Sequence, residues 1–353
     1  MACNEHLALS RRTVLAGGAS LALWSLKPRL ALAATRDPRL LCVVLRGGLD
    51  GLSMVAPIGD PDYERIRGEL AIPVSGANAG LPLDSFFSLN AGMPFLHGLY
   101  KKGEALFVHA VASPYRGRSH FDGQDMLESG LSSVVRADTG WLNRALEALP
   151  AAGRAEPAKG LAIGAVVPLV MRGKAPVLSW IDKANGLPLR PSTIERLADL
   201  YGQTDPALAK AFADGIAIEG IAKGAAMKQP KAADAAAGPR KFRPFLEAAE
   251  AAARFMTADG GPRIGALSYN GWDTHANEGA VAGNLAQALT GLDQAIASLA
   301  AGLGPAWKDT VIVILTEFGR TARINGTKGT DHGTATVAVL VGGAVKGGRV
   351  LAS

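Results

Sequence analysis

Three short segments in the last third of the chain gather the residue types that hold cations. They are Gly271-Trp272-Asp273-Thr274-His275, Thr316-Glu317-Phe318-Gly319-Arg320-Thr321 and Gly329-Thr330-Asp331-His332-Gly333. A fourth acid, Asp50, stands in Leu45-Arg46-Gly47-Gly48-Leu49-Asp50-Gly51, just past the first apolar run. Asp273 and His275 are two residues apart, so an extended turn can aim both at one ion. Carboxylates mixed with imidazoles suit Zn²⁺ or Mn²⁺ better than Mg²⁺ or Ca²⁺, which take oxygen ligands. The candidate ligands are therefore Asp50, Asp273, His275, Glu317, Asp331 and His332. Glu317 follows the apolar run Thr310 to Leu315, where a carboxylate is costly to desolvate without a cation or donors beside it. Such a site can polarise a phosphoryl or sulfuryl oxygen and activate a nucleophile. Arg46, Arg116, Arg118 and Arg320 lie in comparable segments and can clamp an anion.

Each residue also has a plainer reading. Asp-x-His is a common pair, and Glu317 with Arg320 can be a structural ion pair. Asp50 can cap the helix after the Gly-Gly turn. His109, inside an apolar run, reads as a core histidine, and His97 as helix surface. Gly333 lets backbone come close to a ligand.

The elements that must position these residues alternate between strand and helix. Leu40 to Leu45 is continuously apolar, as in a strand buried on both faces of a parallel sheet. Pro57 to Pro82, rich in proline, glycine and charge, reads as loops over the site. A helix over Pro94 to Lys102 precedes a second strand, Ala105 to Val111, whose end delivers Ser113 to Phe121. Trp141 to Leu149 reads as a helix and Leu161 to Val170 as a strand. The Ala-rich stretch from 197 to 258 reads as a helical insertion, interrupted by a linker at Gln229 to Pro239. Arg263 to Tyr269 is a strand, Gly283 to Leu303 an amphipathic helix, Thr310 to Leu315 a strand and Val337 to Val341 another. This order predicts an α/β fold, a mostly parallel central sheet with helices on both faces, whose carboxyl edge is where ligands bind.

The amino terminus is a targeting segment. Ser10-Arg11-Arg12-Thr13-Val14-Leu15 leads into a weakly apolar run to Leu26, then Ala31-Leu32-Ala33, a small-x-small cleavage site. Residues 1 to 33 read as a twin-arginine signal peptide and 34 to 353 as a single α/β domain. The expected partner is the twin-arginine translocase, and the expected location is the periplasm or beyond. The whole chain of 353 residues carries a formal charge of +6, half of which leaves with the signal. No basic stripe with interleaved aromatics is present, which excludes nucleic acid as a partner. No later stretch is long and apolar enough to anchor the chain in a membrane. Cys3 leaves with the signal, so Cys42 alone forms no internal disulfide and reads as a small buried apolar residue. With no closing helix after Val341, the carboxyl end reads as short or truncated.

Taken together, the twin arginines, Leu45 to Leu52, Arg118-Ser119-His120-Phe121, Gly140-Trp141-Leu142-Asn143 and the three acidic segments resemble the DUF1501 family, across nearly the whole mature chain. That family is grouped with the alkaline phosphatase and sulfatase superfamily. The resemblance implies an alkaline phosphatase-like fold with one or two metals. It implies that Asp50 is the first ligand acid, Asp273 and His275 the Asp and His pair, and His332 the final histidine, with Asp331 a ligand or its orienter. The strand-end Asp-His of the superfamily stands here as Glu317-Phe318, so one nitrogen ligand is missing. The nucleophile is expected between Ser113 and His120. Ser119 is the candidate, with Ser113 in reserve, and Arg116, Arg118 and His120 complete the candidate catalytic set.

Two functions compete. One is an exported metal-dependent hydrolase of phosphate or sulfate esters, acting on an anionic ester through a metal-activated hydroxyl. The other is a non-catalytic periplasmic binding or assembly protein with a degraded hydrolase site, which Phe318 in place of a histidine favours. A metalloprotease lacks its His-Glu-x-x-His helix.

Overall fold

The computed structural model describes residues 37–149, 159–164, 166–181, 190–206, 208–216 and 242–352. The twin-arginine segment and the linker at 229–239 lie outside these residues. Eight strands form the main sheet: β1 (Arg39–Arg46), β2 (Ala105–Val111), β3 (Gly160–Ile163), β4 (Val177–Trp180), β5 (Ile264–Asn270), β6 (Thr310–Leu315), β7 (Thr336–Val341) and β8 (Arg349–Leu351). Their order is β8-β2-β7-β6-β1-β5-β3-β4. β1 is central and parallel to both β5 and β6, with Leu41 beside Gly265 and Ile312. β7 alone runs antiparallel, between β2 and β6. The fold is α/β and mostly parallel, as the alternation of elements predicts.

Burial explains the central position of β1. Leu41, Val43 and Leu45 join one core with α3 (Pro94–Lys101), α7 (Arg243–Thr257) and α8 (Asn284–Leu303), whose labels follow chain order. Cys42 and Val44 point the other way, onto Leu142 and Leu146 of α5 (Trp141–Ala148) and onto Val170 and Met171. A strand with apolar neighbours on both faces must read as continuously apolar. Truncating one such leucine costs about 2–5 kcal/mol. Burial also pushes the Cys42 thiol up to about 12, so it is an inert core group.

Further helices are α1 (Gly51–Met54), α2 (Tyr63–Arg67), α4 (His120–Ser129) and α6 (Pro191–Thr204). Asp293 of α8 caps α3 from a distance, accepting from the backbone N–H groups of Phe95 and Leu96 at 3.0 and 2.8 Å. Within the Pro57 to Pro82 segment, α2 forms a compact turn that drives Arg67 into the interior. Among the described residues, no helix is long and apolar enough to cross a membrane.

Three expectations need correction. The strand expected over Leu161 to Val170 ends at Ile163, because Gly164 takes φ 149° and Pro168 offers no N–H, and a 3-10 turn follows at Leu169–Met171. His97 is buried, its Nε2 bonded to the Pro82 carbonyl at 2.8 Å, rather than on the helix surface. α7, inside the stretch expected to be an insertion, packs in the main core.

Candidate metal centre

β1, β5 and β6 all end at one edge of the sheet, and their following loops meet there. Close approach of these loops depends on Gly47, at φ +124°, where a Cβ would stand 2.5 Å from the Asp273 nitrogen. Gly333 is equally required. A Cβ there would fall 2.3 Å from the Arg320 carbonyl, so this glycine serves backbone contact within the edge.

His120, Asp273 and His332 each present a ligand atom, all within 4.8 Å of one another. His120 is the first residue of α4, which Ser119 caps by accepting from the Asp122 N–H at 3.5 Å. Its Nδ1 meets Glu317 Oε1 at 2.8 Å, so Nδ1 carries the proton and Nε2 is left as a lone pair. That Nε2 is buried without a hydrogen-bond partner and stands 3.4 Å from Asp273 Oδ2. His332 is oriented the same way: Nδ1 donates to the Arg118 carbonyl at 2.8 Å, and Nε2 lies 3.3 Å from Asp273 Oδ1. Arg118 holds φ +59°, a costly conformation for a residue with a Cβ, and its carbonyl aims His332.

His275 adjoins the group. Its Nδ1 faces Asp331 Oδ1 at 3.3 Å, and its Nε2 lies 3.1 Å from Asp273 Oδ1 and 2.9 Å from His332 Nε2. The two Nε2 atoms thus face each other beside Asp273 Oδ1, a placement that a shared proton or a shared cation bridges. Three imidazoles and one carboxylate fit a borderline ion such as Zn²⁺. Oxygen or backbone acceptors behind each imidazole are the usual support of such ligands. Phe318, where a histidine was expected, is buried with its ring 4.8 Å from that of His120 and 5.0 Å from that of His332, an apolar wall beside both.

The carboxylates divide by partner. Partial burial raises the Asp273 carboxyl, but the Arg320 hydrogen bond at 2.7 Å and its charge, with His275 and His120, hold it below its ordinary value. Glu317 is buried, which alone would raise it. Donors from Gln124, the backbone, His120 and Gly47 more than offset this and keep it below the usual range. Oε1 accepts from Gly47, His120 and Gln124 and Oε2 from Thr316, so every bond it makes is to a protein donor. Asp331 is lowered chiefly by Asn325, then by His275.

The structure does not bring Asp50 to this cluster. Its buried carboxylate caps α1 through Leu52 N–H, accepts from Ser53 Oγ at 2.7 Å and pairs with Arg67. Burial raises Asp50, yet the Arg67 charge and hydrogen bonds, including one with Glu278, keep it low. The same burial and the nearby Asp50 push Glu278 up to about 9. Glu278 accepts from Thr330 Oγ1 at 2.6 Å, and Thr330 Oγ1 accepts from Arg320 Nε at 3.1 Å. Asp50, Arg67 and Glu278 thus support Arg320, on the loop after β6, from behind, and Arg320 in turn holds Asp273 on the loop after β5.

The candidate catalytic residues lie beside the cluster. Ser119 is used in the α4 cap, and Ser113 Oγ accepts from Tyr115 N–H at 3.3 Å. The exposed Arg116 bonds the Ser113 and Tyr115 carbonyls, while the exposed Arg118 side chain stands on the rim. Motif spacing missed His120 as a member of the cluster, and missed Arg67 and Glu278 altogether. The one available signal was the acid at the tip of β6, which must have a buried partner.

A mostly parallel α/β sheet with an imidazole and carboxylate cluster at its carboxyl edge defines the class of protein. Residues 106–353 match the family described as Protein of unknown function (DUF1501), and the chain belongs to that family. No curated protein shows significant sequence similarity to it. Among solved structures, it is similar to a protein in the alkaline phosphatase superfamily from Vibrio parahaemolyticus, at 12% identity and TM-score 0.38, covering 90% of this chain and 62% of that one. It is similar to the C-terminal periplasmic domain of EcEptC from Escherichia coli in complex with Zn, at 10% identity and TM-score 0.35, covering 88% and 74%. A phosphonate monoester hydrolase of Agrobacterium radiobacter is similar at 12% identity and TM-score 0.34, covering 90% and 70%. The chain spans 62–68% of the length of the first solved structures it matches.

Proposed function

We propose that this chain is an exported hydrolase of phosphate or sulfate esters that works with a divalent cation, Zn²⁺ or Mn²⁺. The observation that carries the reading is the buried, unpartnered Nε2 of His120, aimed at Asp273 in the same cluster as His332. His120, Asp273, His275 and His332 would hold the cation. When bound, it would supply Lewis-acid polarisation of the ester oxygen and lower the pKa of a nearby hydroxyl. Glu317, Asp331 and the Arg118 carbonyl fix the imidazoles, and Arg320 fixes the carboxylate. The Arg118 side chain, with Arg116, would hold the anionic ester at the rim. Ser119 is the proposed nucleophile, its 3.5 Å cap contact weak enough to release the hydroxyl. Its Oγ would give up its proton to solvent and bond to phosphorus or sulfur as the ester oxygen departs as the alcohol with a proton from water. A second water would then displace the serine, releasing phosphate or sulfate and returning a proton to Oγ.

A second reading, a periplasmic binding or assembly protein without turnover, is favoured by the engagement of both Ser119 and Ser113 in local turns. The paired arginines at 11 and 12 support export by the twin-arginine translocase in either case.

The test is metal content by plasma mass spectrometry on the folded protein and on an Asp273→Asn/His332→Ala variant. Near-stoichiometric metal that the variant lacks, followed by turnover of a phosphate or sulfate ester, is the expected result. Loaded protein that turns over none of these esters leaves the binding reading. A folded wild type that takes up neither Zn²⁺ nor Mn²⁺ removes both the centre and the hydrolase.

A further inference from the structure

A cavity of about 190 Å³ opens at the same sheet edge, lined by Leu52, His109, Ala110, Arg320, Ala322 and Thr336 among others. Arg320 joins it to the metal centre, since the residue that lines the cavity also donates to Asp273 at 2.7 Å. The lining is mostly apolar, and its volume exceeds the roughly 150 Å³ that accommodates a benzene ring. The polar groups of Arg320 and Thr336 are bonded to Thr330, Asp273 and Leu49, which leaves His109 as the polar side chain the cavity can use. Nε2 of that imidazole meets the Val55 carbonyl at 3.1 Å, which places the proton there and leaves Nδ1 as an acceptor. Burial lowers the imidazole below its ordinary value, in keeping with the neutral form. The ring is held against Phe87, 4.7 Å away.

The wall of this cavity is also strained. Ala110 sits at φ +58°, where the Cβ costs about 1–2 kcal/mol, and the pairing of β2 with β7 shifts register between Thr336 and Val337. Strain of this kind persists where surrounding structure enforces it, and it clusters at ligand sites.

We propose that this cavity receives the alcohol portion of the ester, a ring-sized apolar group carrying one hydrogen-bond donor that His109 accepts. The assignment rests on the hydrolase reading for its reaction, but not for its binding. A flat aromatic or branched alicyclic group fills the space, and a donor on it satisfies Nδ1. An isostere without the donor leaves that acceptor desolvated and unpaired, which costs about tenfold in affinity. The specificity would thus lie in the leaving group, while the cluster handles the anion common to all substrates.

The experiment uses phenol and toluene as probes, by ligand-observed NMR, on wild type, Asp273→Asn, His109→Leu and Ala322→Phe. Phenol is expected to bind wild type and Asp273→Asn alike. His109→Leu should lose phenol about tenfold and keep toluene, and Ala322→Phe should lose both. Thermal melts of each variant confirm folding. If an ester is turned over, Ala322→Phe should raise KM at least tenfold for a phenyl ester and leave a methyl ester unchanged. Phenol binding without any turnover would uphold the cavity and sink the hydrolase. Turnover with no phenol binding, and equal KM effects for phenyl and methyl esters, would overturn the cavity and leave the hydrolase standing. Phenol binding that His109→Leu and Ala322→Phe both leave intact would also overturn it.

Discussion

Glu317→Gln separates an acid that orients a ligand from an acid that is one. In the wild type, Oε1 accepts from Gly47 N–H, His120 Nδ1 and Gln124 Nε2 at 2.9, 2.8 and 3.0 Å, and Oε2 from Thr316 Oγ1 at 2.9 Å. A glutamine with its oxygen at the Oε1 position keeps all three donors, and its NH₂ can donate to Thr316. Geometry therefore survives and only the charge is lost. That charge strengthens the bond to Nδ1–H and makes Nε2 the better donor to a cation. Loss of such support costs about 10–100-fold in metal affinity, or about 1.4–2.7 kcal/mol. The assay is competition for Zn²⁺ against a chelator of known affinity at pH 7.5, with a melt to confirm folding. Wild-type affinity in the glutamine variant would refute the orienting role. Total loss of binding, equal to that of Asp273→Asn, would instead make Glu317 a direct ligand.

Three further outcomes follow from the same geometry. Arg118→Gly should raise the urea midpoint by the equivalent of about 0.5–1 kcal/mol, because relief at φ +59° exceeds the added freedom of the unfolded chain, and a lowered midpoint would refute strain there. Glu278 holds its proton up to about 9 in the fold but loses it near 4.5 when unfolded, so its contribution is full below 4.5 and is lost as pH rises towards 9. Over that window Glu278→Gln should remove a slope of about 1.4 kcal/mol per pH unit from the unfolding free energy, and identical slopes in both proteins would count against the shifted acid. Arg67→Met leaves the buried Asp50 without its cation and should cost about 3–5 kcal/mol by chemical denaturation, with Arg67→Lys recovering only part.

The frame was readable in the sequence because β1 and β6 are apolar runs in a chain of alternating patterns. The direction of β7 was not, since a strand buried on both faces reads the same either way up. Asp273, His275 and His332 announced themselves by short spacing and adjacent glycines. His120 did not, because its qualification is tertiary: only the meeting of α4 with the tip of β6 gives it an acceptor behind and an open nitrogen in front. Glu317 was legible as an acid needing a partner, though not which one, and Asp50 as a helix cap, which it is. Arg67 and Glu278 stand in no motif, and burial alone makes them a set with Asp50.

This division of the carboxylates sets how many acids an ion at the proposed centre would meet directly. Had Asp50, Asp273, Glu317 and Asp331 all ligated one divalent ion, their charge would outweigh it and repel an anionic ester. In the structure Asp50 is neutralised by Arg67, while Glu317 and Asp331 keep their charge but accept from His120, His275 and Asn325, which leaves Asp273 as the carboxylate of the cluster. A divalent ion held by neutral imidazoles and one carboxylate keeps net positive charge. Each unit of charge at about 5 Å counts for roughly 3 kcal/mol at an effective dielectric of about 20. Arg118 adds to the same sign at the rim. A divalent ion at the proposed centre would meet one directly ligating acid rather than four, with Glu317 and Asp331 held a hydrogen bond further back, and would stay more cationic towards an anion than a four-acid site could.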